Sequence, residues 1–144
     1  MSDARYFTVD EANALVPRLE SAFGRIVRLR SELQVVGAQL MKLGEPTDAS
    51  SLRRSDGTVE AQAARGRARG LLEALTEEIE VLQEIGVQIK DLDGGLCDFV
   101  AQREGREVLL CWKFGEKHIA YWHELDTGFS GRRPIDHAFE RLLQ

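Results

Sequence analysis

A chain of 144 residues, 43% hydrophobic and 30% charged, is sized for one domain with a real hydrophobic core. Its formal charge of -5 supplies no concentrated positive field, which disfavours nucleic acid and anionic membrane as partners. Two cysteines, Cys97 and Cys111, exclude a disulfide framework, and fourteen residues apart without a second pair they do not make a structural zinc site. No run approaches the ~18 apolar residues of a membrane span, and the start "MSDARYFTVDEANAL" has no basic and apolar leader pattern. The expectation is a soluble, cytoplasmic chain with reduced thiols.

A long helix is expected over residues 8–43. Thr8 followed by Glu11 has the spacing of a capping box, in which a hydroxyl and a carboxylate satisfy free amides at a helix start. Apolar positions then run Leu15, Leu19, Ala22, Ile26, Leu29, Leu33, Val36, Leu40 and Leu43 in alternating steps of four and three. That spacing buries a narrow stripe against another helix, as in a coiled coil. Pro17 removes a backbone hydrogen bond, so a kink is expected between Asn13 and Pro17. Residues 44–58 concentrate Gly, Pro, Ser and Asp and read as a flexible loop.

A second helix is expected over 59–90, through Ala68, Leu72, Leu75, Ile79, Leu82 and Ile89, with Gly86 loosening its last turns. The two helices would pair as an antiparallel hairpin, with Arg18, Arg25 and Arg30 flanking one seam and Glu77, Glu78 and Glu84 on the other helix. Arg53, Arg54, Arg65, Arg67 and Arg69 form the basic concentration. Without interleaved aromatics for base stacking they read as a solvated loop and helix start.

Beyond "DLDGGL" the apolar period becomes two. The segments 96–103, 107–113 and 118–125 are separated by Glu104-Gly105 and Gly115-Glu116, both plausible tight turns. If both are two-residue loops, Phe99 pairs with Leu110 and Leu110 with Tyr121 in a three-stranded meander over 96–125. One face then carries Cys97, Phe99, Leu110, Trp112, Tyr121 and His123; the other carries Asp98, Val100, Leu109, Cys111, Trp122 and Glu124. The first is the core face. On the second, Val100, Leu109 and Trp122 would leave an apolar patch in water, so they are interface candidates for a second subunit or for a short helix in "PIDHAFERLL". Opposite faces keep the two cysteines from bridging. The expected fold class is α+β: a long antiparallel helical hairpin packed on a three-stranded antiparallel β-meander, with a loop and short C-terminal helix over 126–144, all one domain.

"YWHELDTGFSGRRPI" concentrates the chemistry-bearing side chains. Alternation on a strand separates His123 from Glu124, so the pair is a weak metal signature. Glu124 and Asp126 with Asp98 or Glu107 across the sheet would gather carboxylates for a divalent cation or for acid/base work. Gly128 and Gly131 shape a compact loop, and Ser130, Arg132 and Arg133 offer donors to a carboxylate or phosphate. The competing reading has an arginine pairing with Glu124, Asp126 or Asp136 and pinning the loop.

"YFTVDEANALVPRL", "GVQIKDLDGGLCDF" and "VLLCWKFGEKHIAYWHELDTGFSGRRPI" resemble the prokaryotic domain of unknown function 2203 family. The resemblance covers most of the chain outside residues 44–70. It implies a small bacterial or archaeal cytoplasmic protein, marks Asp91, Asp93, Trp112, Trp122, His123, Glu124, Asp126, Gly131 and Arg132 as motif members, and assigns none of them a role.

The leading expectation is a non-catalytic, self-associating protein-interaction module that forms a homo-oligomer or docks a protein partner and needs no cofactor. The alternative is an enzyme or ligand-binding protein with its site at the loop after the last strand. There His123, Glu124, Asp126, Ser130, Arg132 and Arg133 are the ligand or anion candidates, and Asp91, Asp93, His123, Glu124 and Asp126 the candidates for a divalent metal.

Overall fold

The computed structural model describes residues 5–136. It is α+β, with helices α1 (Val9–Lys42), α2 (Ala49–Leu52) and α3 (Val59–Glu84), and strands β1 (Gln88–Asp91), β2 (Leu96–Arg103), β3 (Arg106–Lys113), β4 (Tyr121–His123) and β5 (Arg133–Pro134). The strands form one antiparallel sheet in the order β1-β2-β3-β4-β5. Two strands, β1 and β5, therefore extend the expected three. The helix expected in "PIDHAFERLL" falls largely outside the described residues. The chain divides into two compact units: the described residues through Phe23 together with those from Val81 onward, and Gly24–Glu80.

Helix α1 begins at the capping box. The Thr8 amide donates to the Glu11 carboxylate at 2.9 Å, and the Glu11 amide donates to the Thr8 hydroxyl at 3.0 Å. Helical structure continues through Pro17. In the unit holding the sheet, Ala12, Val16, Leu19, Ala22 and Phe23 of this helix are buried, a broader stripe than the narrow heptad seam because its partner is a sheet. The Phe23 ring lies 5.8 Å from that of Trp112, and Phe7 meets Phe99 edge-on at 5.0 Å. The Phe7 amide also donates to the Val100 carbonyl at 2.8 Å, occupying part of a sheet edge that β1 leaves unpaired.

In the unit Gly24–Glu80, α1 and α3 form the expected hairpin. Arg25 of α1 meets Glu78 of α3 at 2.7 Å, and Val36, Leu40, Leu52, Ala64 and Ala68 form a buried cluster. Residues 44–58 are not an unstructured loop. Asp48 caps α2, and Leu52 enters the core. The reason is Arg65, which the basic-cluster reading placed in solvent. It is 1% exposed and donates to the carbonyls of Arg54 and Asp56 and to the Glu45 carboxylate at 2.9, 2.6 and 2.7 Å. Arg69 adds a bond to the Leu52 carbonyl. These cations hold the segment through its main chain.

Helix α3 ends six residues before the expected boundary at residue 90. Gly86, at φ +100°, closes it: the Gly86 amide donates to Gln83 and the Val87 amide to Leu82, both at 3.0 Å. This pair of bonds is the Schellman arrangement, which a left-handed glycine permits. Ile89, expected on the helical seam, is instead in β1.

The β2–β3 hairpin has the expected register, Phe99 opposite Leu110. Its two-residue turn has Glu104 at φ 53° and Gly105 at φ 74°, the paired left-handed conformation of a type I′ turn. The next connection departs from expectation. Strand β3 ends at Lys113 and β4 begins at Tyr121, so residues 114–120 join them in place of a two-residue turn. The Glu116 carboxylate accepts from the Lys113 amide at 2.7 Å, and the Glu116 carbonyl accepts from Trp112 Nε1 at 3.0 Å. The folded connection shifts the register by one residue. Leu110 pairs with Trp122, and Leu109 pairs with His123.

A one-residue slip exchanges the faces of a strand. Trp122 therefore joins Phe99 and Leu110 on the core face, where it is 4% exposed. His123 and Tyr121 join Asp98, Val100, Leu109 and Cys111. The expected interface patch does not assemble, because Trp122 is on the opposite face from Val100 and Leu109 and Leu109 is itself buried. The cysteines are on opposite faces as expected, both free and buried.

Candidate functional site

Three consecutive antiparallel strands bring Asp98, Cys111 and His123 together. Cys111 on β3 stands directly opposite Asp98 on β2, and β4 places His123 beside the neighbouring residue, Leu109. One ligand atom from each of the three side chains lies within 4.8 Å of the others. All three residues are buried, with Asp98 at 3%, Cys111 at 2% and His123 at 2% exposure. Buried carboxylates and imidazoles need partners, so the hydrogen bonds decide how this cluster works.

The His123 ring has one position already committed. Nδ1 lies 2.7 Å from the Glu124 carbonyl oxygen, which can only accept, so Nδ1 carries the proton. In a neutral ring Nε2 is then a lone pair. It faces the Asp98 carboxylate, with Oδ1 at 3.1 Å and Oδ2 at 3.2 Å. An unprotonated nitrogen and an ionised carboxylate repel at that distance. The arrangement is satisfied by a proton shared between them or by a cation.

Cys111 is the third side. Burial and the nearby Asp98 charge push its thiol up to about 12, a hydrogen bond to Asp98 acts in the same direction, and Arg132 opposes them. Without a cation the thiol stays protonated. Burial similarly pushes Cys97, on the other face, up to about 12.

The donor set is one thiolate sulfur, one imidazole nitrogen and one carboxylate oxygen. Zinc uses these atoms at about 2.0–2.3 Å, so tetrahedral ligands around it stand about 3.4 Å apart. The 3.1 Å between Nε2 and Oδ1 is close to that spacing. A main-chain carbonyl on Nδ1 is also the usual partner that fixes a metal-binding histidine with Nε2 toward the ion. The three donor atoms, within 4.8 Å of one another, are of the types a late first-row divalent cation takes, and Asp98, Cys111 and His123 would be the residues to hold it.

The cluster borders a cavity of about 190 Å³ lined by the three residues together with Lys90, Leu96, Leu109, Leu125, Gly128 and Phe129. The loop after β4 forms one wall. The Glu124 carbonyl that holds His123 also faces the Thr127 amide and hydroxyl at 3.4 and 3.3 Å. A short 3₁₀ turn, Phe129–Gly131, follows. Gly131 is required there because a Cβ at that position would collide with Thr127.

The site expected from the sequence is thus partly rebuilt. His123 belongs to it, in company with Asp98 and Cys111. Glu124 points its carboxylate to Arg106 at 2.6 Å. Asp126 and Ser130 are exposed, with the Ser130 hydroxyl 3.5 Å from the Thr127 carbonyl. Asp91 accepts from the Asp93 amide at 3.1 Å across the β1–β2 turn, and neither belongs to the buried cluster. Arg132 is committed to the loop: it bonds both Glu116 oxygens at 2.8 and 2.9 Å, with its guanidinium over the rings of Tyr121 at 4.1 Å and Phe129 at 4.6 Å. Arg133 lies over the Trp122 ring at 5.2 Å. The pinning reading of the arginines is the one their contacts support, with Glu116 rather than Glu124, Asp126 or Asp136 as the anchor of Arg132.

No curated protein and no solved structure matches the chain. A family model described as uncharacterized conserved protein (DUF2203) matches residues 5–135, a span containing the helices, the sheet, the cluster of Asp98, Cys111 and His123 and the loop behind it, and the chain belongs to that family.

Proposed function

We propose that this protein binds one zinc-class divalent cation through Asp98, Cys111 and His123, with an open coordination position for a ligand. The observation that supports it is the convergence of His123 Nε2, the Asp98 carboxylate and the Cys111 sulfur within 4.8 Å of one another in a buried site. With Nδ1 donating to the Glu124 carbonyl, Nε2 faces the acid as the second N–H of an imidazolium or as the lone pair of a neutral ring, and the neutral ring is the form that would hold a metal.

The test is metal content and metal response in the purified chain. One equivalent of zinc or cobalt is expected, with a cobalt spectrum showing thiolate coordination, and both are expected to vanish in Cys111→Ser and His123→Ala. Binding should raise the melting temperature as the ion is added. No stoichiometric ion, and no change in melting temperature on adding one, would end the proposal.

Self-association of the helical hairpin is a second reading. It is favoured by the exposure of Val27, Val35 and Leu72, at 50, 56 and 40%, on helices whose partner faces are already in use. Light scattering that gave a strict monomer across micromolar concentrations would remove it.

A further inference from the structure

The cavity beside the cluster lies between the sheet and a single loop. Most of the residues that line it stand on β1, β2, β3 and β4, and the other three, Leu125, Gly128 and Phe129, all come from residues 124–131. Asp98, Cys111 and His123 are only 2–3% exposed, whereas Leu125 and Phe129 are 57 and 41% exposed. One thickness of chain therefore separates the cluster from solvent on the loop side.

That loop is bonded within itself and held lightly against the sheet. Its base is fixed: Trp122 of β4 pairs with Arg133 of β5, and Arg132 bonds Glu116 at 2.8 Å and reaches the Cys111 carbonyl at 3.5 Å. Above the base the main-chain bonds are internal. The Thr127 amide donates to the Glu124 carbonyl, the Gly131 amide to Gly128 and the Arg132 amide to Phe129. Thr127 also fills the space beside Gly131 that a Cβ would need. The tip is held through the Phe129 ring, which has the Arg132 guanidinium at 4.6 Å and the Lys113 ammonium at 5.6 Å from its centre. Ring–cation contacts at exposed positions are weak. A segment with internal bonds and weak outer ones moves as a body at far less cost than unfolding the strands beneath it.

We propose that residues 124–131 form a flap that lifts from the sheet and opens the Asp98, Cys111 and His123 cluster to solutes while the strands stay paired, with the Phe129 ring as its latch. The flap does not depend on the metal reading, since it covers the cluster whether a proton or an ion completes it. Its hinge lies next to His123. The bond from Nδ1 ends on the Glu124 carbonyl, at the foot of the flap, so the ring keeps its direction while the tip moves.

The two buried cysteines make the test, because Cys111 lies under the flap and Cys97 stands on the opposite face of the same sheet. The full chain is alkylated with iodoacetamide in chelator, so that no bound ion shields a sulfur, and each thiol is followed by mass spectrometry. Cys111 is expected to react roughly tenfold or more faster than Cys97, at a rate that low urea leaves unchanged, as local opening requires. Phe129→Ala should speed Cys111 by roughly tenfold and leave Cys97 as it was. The flap is overturned if Cys111 reacts no faster than Cys97, or if urea accelerates the two in parallel, since access then needs global unfolding. It is equally overturned if Phe129→Ala leaves Cys111 unchanged or speeds both thiols together, because the ring is then no latch or supports the whole fold.

Discussion

Two buried polar clusters in this molecule are built on opposite plans. In the unit Gly24–Glu80, Arg65 meets two main-chain carbonyls and one carboxylate, and each of these acceptors faces a donor. Donor meets acceptor throughout, so nothing further is needed, and the network holds residues 44–58 in place. In the unit containing the sheet, His123 Nε2 faces the Asp98 carboxylate at 3.1 Å, an acceptor on one side and, with Nδ1 already donating to the Glu124 carbonyl, a lone pair on the other unless a second proton is added; burial pushes the adjoining thiol up to about 12. The first cluster is complete as folded. The second is arranged so that a proton or a metal ion completes it. Burial alone therefore does not separate a structural polar cluster from a binding one; the direction of each N–H does.

Replacing Arg65 by Met is the severest way to break the complete cluster, since it strands the Glu45 carboxylate and two carbonyls. A loss of about 3 kcal/mol in unfolding free energy is expected, read by chemical denaturation. The incomplete cluster should respond in the opposite sense. Asp98→Asn gives Nε2 an amide N–H in place of a carboxylate, so the metal-free protein is expected to melt no lower than the parent. Its zinc affinity should fall by roughly 100-fold or more, because loss of a second-layer partner alone costs about 10- to 100-fold. A metal-free Asp98→Asn protein that melted well below the parent would place the two clusters in the same class.

A smaller effect is expected at the loop anchor. Glu116→Gln removes the charge from the pair with Arg132, which is 13% exposed at its side chain; about 1–2 kcal/mol of stability should be lost. Zinc affinity should change only a few-fold, since His123 is oriented by a main-chain oxygen rather than by Arg132. Calorimetric titration of the variant measures this.

The smallest effect is local and acidic. Asp48, cap of α2, is lowered to about 2 chiefly by the Ser51 hydroxyl, then by the Ser50 hydroxyl and the Ser51 amide. Its folded value is below the ordinary carboxylate value of 3.8, so the cap is at full strength above about pH 4. It is lost as pH falls through about 2. Amide exchange in residues 49–52 should accelerate across that window relative to exchange at the α3 residues around Arg65.

Local signals in the sequence located the parts of the fold that local chemistry fixes. The Thr8 and Glu11 pair starts α1, and Glu104-Gly105 makes the β2–β3 turn and sets its register. What escaped depended on groups distant in the chain. Gly86 was read as a weak point in a helix, whereas its positive φ ends α3 and releases β1. Arg65 looked solvated because its acceptors are backbone oxygens from a segment that reads as loop. The site was hidden by one residue of register. Asp98 and Cys111 already shared a face in the expected sheet, but a two-residue turn at Gly115-Glu116 sent His123 to the other side. The extra length of 114–120, folded around Glu116, brought His123 onto the face of Asp98 and Cys111, and no periodicity in residues 118–125 announces that length.

The bond from His123 Nδ1 ends on the carbonyl oxygen of residue 124, not on its side chain. Peptide oxygens are common to all twenty amino acids, so the feature that orients the imidazole has no alphabet. The carbonyl of residue 124 would aim the ring at Asp98 whatever side chain stood there, and the Glu124 carboxylate is engaged separately, with Arg106 at 2.6 Å. A search for the spelling "HE" would then miss sites of this kind that a search by spacing across three strands would find.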